Sequence, residues 1–289
     1  MNFQRLMIVG LLILTGGSGN KAVRAQLSIG NFAPAINLSS IGLFDDAPCQ
    51  ADFFGIPFDK FQTCFDYWTQ HGRWPAVLVT YRTKQGVFIT GSFQPGTSRP
   101  VRGMMTAEKY AQNNDTFKAQ GFRPEQVSVV KMDDGPRFTV IWAPIDGAYE
   151  SYPAMTEAVF DAKAKQMRAA KYLLTDLTSY KDNGTKFAAI WVKKPFDDYV
   201  VTVGMSPEDF KLRNLDMLSD CYKLTIVTYY NAGNGDAAVA VWEKRSDQWR
   251  MFAGDLKTFQ AAYDKYSSQG FRLRRIWLGF GLYAIWSKP

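Results

Sequence analysis

His71 is the single histidine of the sequence, so any Ser-His-Asp arrangement would have to use it. It stands immediately before Gly72 at the close of a helical pattern. There it reads as a polar residue ending a helix rather than as a catalytic base or metal ligand. No Gly-x-Ser-x-Gly elbow supplies a nucleophile. Two fragments imitate a β-lactamase-type site: Ser128-Val-Val-Lys131 as Ser-x-x-Lys, and Tyr229-Tyr-Asn231 as Tyr-x-Asn. In such a site the Ser-x-x-Lys opens a helix, which puts lysine one turn from serine. Here both fragments fall in strand-like runs, where positions i and i+3 face opposite ways. We assign no catalytic residue.

One histidine and three scattered cysteines write no zinc pattern, and no phosphate loop, Walker motif or EF-hand spacing occurs. The acid pairs Asp133-Asp134 and Asp197-Asp198 lie in turns or connections, where solvated carboxylates are the ordinary case and a calcium site the exception. No cofactor and no metal are expected. Cys49 and Cys64 read as a disulfide in an oxidising compartment. Cys221 is left over. Its place in the repeats favours a buried small thiol over a reactive one; the alternative is an intermolecular disulfide, and hence an oligomer through Cys221. Asn37, Asn114 and Asn183 open Asn-x-Ser/Thr sequons, which are glycosylation sites if the host is eukaryotic. Asn183 sits at an exposed hairpin tip, whereas Asn114 follows Tyr110 by one helical turn and lies near a buried stripe.

These residues are carried on a unit that recurs about every fifty positions. Leading aromatics stand at Phe61, Tyr110, Phe160, Phe210 and Phe259, and two helical turns on are Trp68, Phe117, Met167, Met217 and Tyr266. Gly72, Gly121, Lys171, Cys221 and Gly270 follow; three of the five suit a glycine C-cap. Leu78, Val127, Leu177, Val227 and Ile276 then lie in β-branched or leucine-rich runs that predict strands. Thr106, Thr156 and Ser206 stand where N-caps belong, the last followed by Pro207 at the first helical position. After a polar turn a second strand ends at Trp142, Trp191, Trp242 or Trp286; copy one lacks this Trp and places Val87-Phe88-Ile89-Thr90 there. Phe187, Ala189 and Trp191 alternate with Ala188 and Ile190, so this strand is expected to be covered on both faces.

The fold class expected is α+β: five tandem helix–strand–strand repeats forming one extended antiparallel sheet, flat, bent or curled to a half-barrel, with helices on one face. The units span 56–97, 104–145, 154–195, 204–245 and 253–289 of a single repeat domain, 56–289. Residues 26–55 form a leader that caps the first repeat, because a terminal repeat has an open face. Only three residues follow Trp286, so the last strand is expected to end the fold with no catalytic domain after it.

Arg5, the apolar run Leu6 to Leu14 and the pattern Val23-Arg24-Ala25 predict a signal peptide over 1–25, an uncleaved anchor being the alternative. The run is shorter than the ~20 residues of a membrane span. Cleavage removes Arg5, Lys21 and Arg24 and no acid, so the net charge falls by three from +7, to +4. That charge is dispersed, with no run of five or six like charges, and argues against nucleic acid. Hydrophobic content of 46% and 21% charged residues are globular values, so disorder is not the default.

At the shared columns the sequence resembles the bacterial tandem-repeat domain family. Gly121-Phe122-Arg123, Gly270-Phe271-Arg272 and Phe187-Ala188-Ala189-Ile190-Trp191 carry the likeness, which covers about residues 56–289. Similar repeats precede a β-lactamase-like serine hydrolase domain in fungal polyglycine hydrolases. The resemblance implies the fold, an auxiliary or binding role and an extracellular setting, and it implies no peptidase activity. The function expected is a secreted, non-catalytic repeat protein that binds an extracellular macromolecule through its hairpin tips and connections. The alternatives are a hydrolase or an auxiliary subunit of one, and a structural matrix component.

Overall fold

The structure, a computed structural model, describes residues 47–233, 235–278 and 282–288. The signal segment 1–25, most of the leader, Asn37 and the Gly279-Phe280-Gly281 turn lie outside the described residues.

Each unit is one strand, one helix and one hairpin. The first is β1 (Asp52–Pro57), α1 (Phe61–Gln70), β2 (Arg73–Thr83) and β3 (Gly86–Pro95). The second is β4 (Val101–Met105), α2 (Ala107–Ala119), β5 (Phe122–Met132) and β6 (Gly135–Pro144). The third is β7 (Tyr149–Met155), α3 (Glu157–Ala169), β8 (Leu173–Lys181) and β9 (Thr185–Val192). The fourth is β10 (Tyr199–Met205), α4 (Pro207–Ser219), β11 (Tyr222–Asn231) and β12 (Asp236–Lys244). The fifth is β13 (Trp249–Gly254), α5 (Leu256–Ser268), β14 (Arg272–Leu278) and β15 (Leu282–Ser287).

The helices begin where the capping side chains predict. Thr106, Thr156, Ser206 and Asp255 each accept a hydrogen bond from the backbone N–H three residues on; α1, entered through a 3-10 turn over Phe58–Lys60, has no side-chain cap. The helices end on residues with positive φ: Gly72, Gly121 and Gly270, and in the same place Lys171 (φ 63°) and Cys221 (φ 65°). That position faces solvent, and Cys221 is exposed, contrary to the buried thiol expected from its column.

The single extended sheet is not formed. The chain makes five separate three-stranded antiparallel sheets, ordered β1-β3-β2, β4-β6-β5, β7-β9-β8, β10-β12-β11 and β13-β15-β14. The physical reason is the leading strand of each unit, which lies in stretches read from sequence as leader or connection. It pairs with the hairpin's second strand (Tyr149↔Val192 to Met155↔Phe187 in the third unit) and takes the edge that a neighbouring hairpin would need. Units must then meet face to face.

They do so in a ring. Consecutive inner strands β2, β5, β8, β11 and β14 are in contact, and β14 returns to β2. Five apolar clusters fill the five junctions. Between blades two and three, Tyr110 and Phe117 of α2, with Phe138, Val140 and Trp142, pack on Ala188, Ile190 and Val192. The opposite face of β9, Phe187, Ala189 and Trp191, packs on Phe160, Ala164 and Met167 of α3. The strand apolar on both faces is thus covered on both.

Blades five and one close the ring, with Val77 and Phe54 joining Phe259, Phe271 and Trp286; Phe54 meets Phe259 edge-on at 5.0 Å. Tyr263 donates to the Asp52 carboxylate, and Gln94 Nε2 donates to the Leu273 carbonyl at 2.9 Å. First and last units therefore cover each other. The described leader residues Ala47, Cys49 and Ala51 pack beside α1, tied by the Cys49–Cys64 disulfide and by Trp68 Nε1 donating to the Cys49 carbonyl.

Blade one also has its aromatic. Leu78 pairs with Gly91 as Val127 does with Val140, so Phe93 occupies the place of Trp142 and is buried like it. The hairpin runs to Pro95, beyond the Val87–Thr90 segment assigned from sequence. Gly91 is required there: a Cβ would meet the Val77 carbonyl at 2.4 Å and Leu78 Cδ2 at 2.7 Å.

Candidate binding surface on the ring rims

The inner strands present an unpaired edge to the axis, and the next blade's side chains satisfy it. Leu78 N–H donates to Gln126 Oε1 at 2.8 Å, Thr80 N–H to Ser128 Oγ at 2.9 Å, Val127 N–H to Asp176 Oδ2 at 2.7 Å and Ser179 N–H to Thr228 Oγ1 at 3.2 Å. A bulge at the same column of all five inner strands precedes Val77, Gln126, Asp176, Ile226 and Arg275. From that column Arg275 of blade five reaches the Asp176 carboxylate of blade three and the Thr175 carbonyl. Burial raises the Asp176 pKa, and the Arg275 charge opposes that rise.

The chemistry-bearing residues are thereby accounted for. Ser128 is a buried brace for Thr80, while Lys131 is exposed, 3.9 Å from Asp182. Tyr229 rests on Tyr283, ring centroids 5.3 Å apart, and Asn231 Oδ1 accepts from Gly233 N–H in the turn. His71 caps α1, with Nδ1 2.8 Å from the Tyr67 carbonyl and its ring stacked on Tyr67.

Asp133 takes a two-point contact from Arg82, and Asp134 pairs with Arg137. Asp198 accepts from Arg168, the Tyr222 hydroxyl and the Tyr199 N–H. Among the described residues no cluster of three His, Cys, Asp or Glu side chains could hold a metal ion. Asn183 is exposed with φ 47° at its hairpin tip; Asn114 is half-buried with its Oδ1 enclosed and unpaired.

What differs from blade to blade gathers on two rims. On the hairpin rim, tip touches tip: Arg82 to Asp133, Lys131 to Asp182, and Thr185 Oγ1 to the Asn231 carbonyl at 2.9 Å. On the linker rim lie basic side chains from the blades and from the connections between them. Arg99 pairs with Glu125 (3.4 Å), Arg123 with Asp146 (2.7 Å), and Arg245 with Asp247 (2.9 Å) and Glu243 (3.8 Å). Among the described residues no carboxylate lies within ion-pair distance of Lys194, Arg272 or Arg274, and all three are exposed. Partial removal from water, then Arg272, Arg245 and Arg99, lower the Arg274 pKa. The same partial desolvation, with Arg123 and Arg245 against Glu243 and Asp146, lowers that of Lys194. The sequence reading missed these linker-rim residues because they are spread along the chain from Arg99 to Arg274.

A five-bladed ring of strand–helix–hairpin units is the architecture of a repeat domain. Three stretches, 101–145, 146–194 and 255–276, match the family model described as polyglycine hydrolase-like, structural repeat. The chain carries repeats of that family. The first match begins at the first residue of β4, so the family unit includes the leading strand. No curated protein matches the sequence. Among the described residues no helix is long and apolar enough to cross a membrane.

Proposed function

We propose that the protein is a secreted, non-catalytic repeat protein that binds an extracellular macromolecular partner through its rims. The observation that carries this reading is the division of labour in the ring. The columns common to the units fill the five junctions, and the side chains that differ between units lie on the hairpin tips and linkers. The Cys49–Cys64 disulfide supports an oxidising compartment. The test is capture of a partner from host extracellular material by the wild-type ring and by variants changed on each rim. Loss of capture with an unaltered thermal melt is the expected result; capture indifferent to both rims would overturn the reading. Recovery of a mature chain beginning at Gln26 from culture medium checks the address.

The family description favours one second reading, an auxiliary subunit of a serine hydrolase. It requires a co-purifying hydrolase whose activity changes on adding this chain. Equal activity with wild type, Ser128→Ala and His71→Ala chains places the chemistry in the partner, whereas loss in either variant places it here.

A further inference from the structure

We propose that the outer edge of β10 in blade four is a docking site for an extended peptide segment of a partner protein, one that carries arginine or lysine between apolar residues. The site goes beyond the rims and lies where α3 of blade three meets β10. In the sheet order β10-β12-β11, β10 is paired on one side only. Its first four residues pair without a shift, from Tyr199↔Glu243 to Thr202↔Ala240. Among the described residues no backbone group of Val200 to Val203 has a backbone partner outside that ladder. The alternate N–H and C=O groups that point away from β12 are therefore a template for another strand.

A cleft of about 560 Å³ follows this edge, lined by Val201, Thr202 and Val203 on one side and by Glu157, Ala158 and Asp161 of α3 on the other. Successive side chains of a strand point to opposite faces, so three consecutive residues share one cleft along the strand's edge rather than on a face. The other four leading strands carry devices that deter strand addition: Pro57 in β1, Arg102 in β4, Glu150 and Pro153 in β7, and Arg250 in β13. β10 reads Tyr-Val-Val-Thr-Val-Gly-Met and has neither charge nor proline. The α3 wall sets the chemistry of what fits. Glu157 and Asp161 stand one helical turn apart, and Glu157 Oε1 lies 3.4 Å from where a Gly204 Cβ would be, at the end of the edge. The Tyr230 hydroxyl, buried and unpaired, is 3.9 Å from the same point. Asp161 is answered by Lys165 on its own helix, whereas among the described residues no cation lies within ion-pair distance of Glu157. An incoming cation completes that wall while its apolar neighbours cover the valines. A second copy of β10 brings no cation, so the charge favours a different chain.

The test is fluorescence polarisation with labelled synthetic peptides of the same length as β10. One alternates arginine with valine, and one alternates glutamate with valine. The third is the arginine peptide N-methylated at alternate residues, so that it cannot pair as a strand. The arginine peptide is expected to bind at least tenfold tighter than either of the others. Thr202→Arg copies blade two, where Arg102 stands opposite Val140 as Thr202 does opposite Ala240, and should weaken binding at least tenfold without lowering Tm. Glu157→Gln should weaken the arginine peptide and narrow its lead over the glutamate peptide. Arg82→Gln, on the hairpin rim, should bind as the wild type does. Failure of the arginine peptide to bind more tightly than either of the others, or wild-type affinity in Glu157→Gln, overturns the proposal. A wild-type dimer in sedimentation that Thr202→Arg separates would assign the edge to a second copy and overturn it too.

Discussion

Arg275 in β14 is joined to Asp176 in β8 across the axis of the ring, with the Thr175 carbonyl taking the guanidinium's second nitrogen. Blade four, which lies between them in the chain, contributes Ile226 at the same column and no polar group. Asp176 also accepts from Val127 N–H at 2.7 Å, so one carboxylate ties together blades two, three and five.

Arg275→Gln should therefore cost about 3–5 kcal/mol, because it leaves a buried carboxylate without its cation. The pH dependence has a definite sign. Burial already raises the Asp176 pKa, and removing Arg275 raises it further. A carboxyl whose folded pKa lies above its unfolded value stabilises most below the unfolded value, and that stability is lost as pH rises through the folded one. The variant's deficit should shrink when urea unfolding is measured near pH 4 rather than pH 7; a deficit independent of pH would show that Asp176 is already neutral.

Closure predicts coupling between residues at opposite ends of the sequence. Phe54→Ala and Phe259→Ala should each cost about 3–5 kcal/mol. Their double-mutant cycle should return about 0.5–1.5 kcal/mol of coupling for the edge-on ring pair. Additive losses would mean that blades one and five unfold independently.

Gly91→Ala should cost at least about 1–3 kcal/mol, since its methyl would meet the Val77 carbonyl. Gly96→Ala, with nothing within 4 Å of the new Cβ, is the matched control and should fall within about 0.5 kcal/mol of wild type.

Trp242 Nε1 donates to Asn214 Oδ1 at 2.9 Å inside the fourth blade. Asn214→Ala should cost about 1–3 kcal/mol by orphaning a buried donor. In blade two the same residue types, Asn114 and Trp142, both leave their polar atoms enclosed and unpaired. Asn114→Ala should accordingly cost less than Asn214→Ala in parallel denaturant titrations.

Expressed through a eukaryotic secretory pathway, the protein should carry a glycan on Asn183, exposed at its hairpin tip, in preference to half-buried Asn114. Asn183→Gln should abolish an endoglycosidase-sensitive mobility shift that Asn114→Gln leaves in place.

The helices, hairpins and shared columns were legible because each is specified locally: Thr156 caps its own helix, and Phe187 to Trp191 alternates within one strand. The leading strands were not legible. Tyr199–Met205 is half-exposed along most of its length, Tyr149–Met155 contains Pro153, and neither shows a clean period. Phe93 went unrecognised because Gly91 stands where its sister strands have Val140, Ala189 or Ala240. Trp249, which resembles an isolated surface tryptophan, is half-buried in β13 and donates to the Leu224 carbonyl at 3.1 Å. Ring closure has no local signature, since Asp52 and Tyr263 meet across 211 positions of sequence. The cross-element ion pairs of the linker rim, such as Arg99 with Glu125, were hidden for the same reason.

Closure also fixes how such a protein is free to change. An open array gains or loses one unit at its end, and the remaining interfaces are undisturbed. Here the contact of β14 with β2 and the brace from Arg275 to Asp176 make every junction angle depend on there being five blades. Duplication or deletion of a single unit would have to open the circle and re-aim all its neighbours at once. Divergence is therefore channelled into substitution on the rims, and copy number is held constant by geometry.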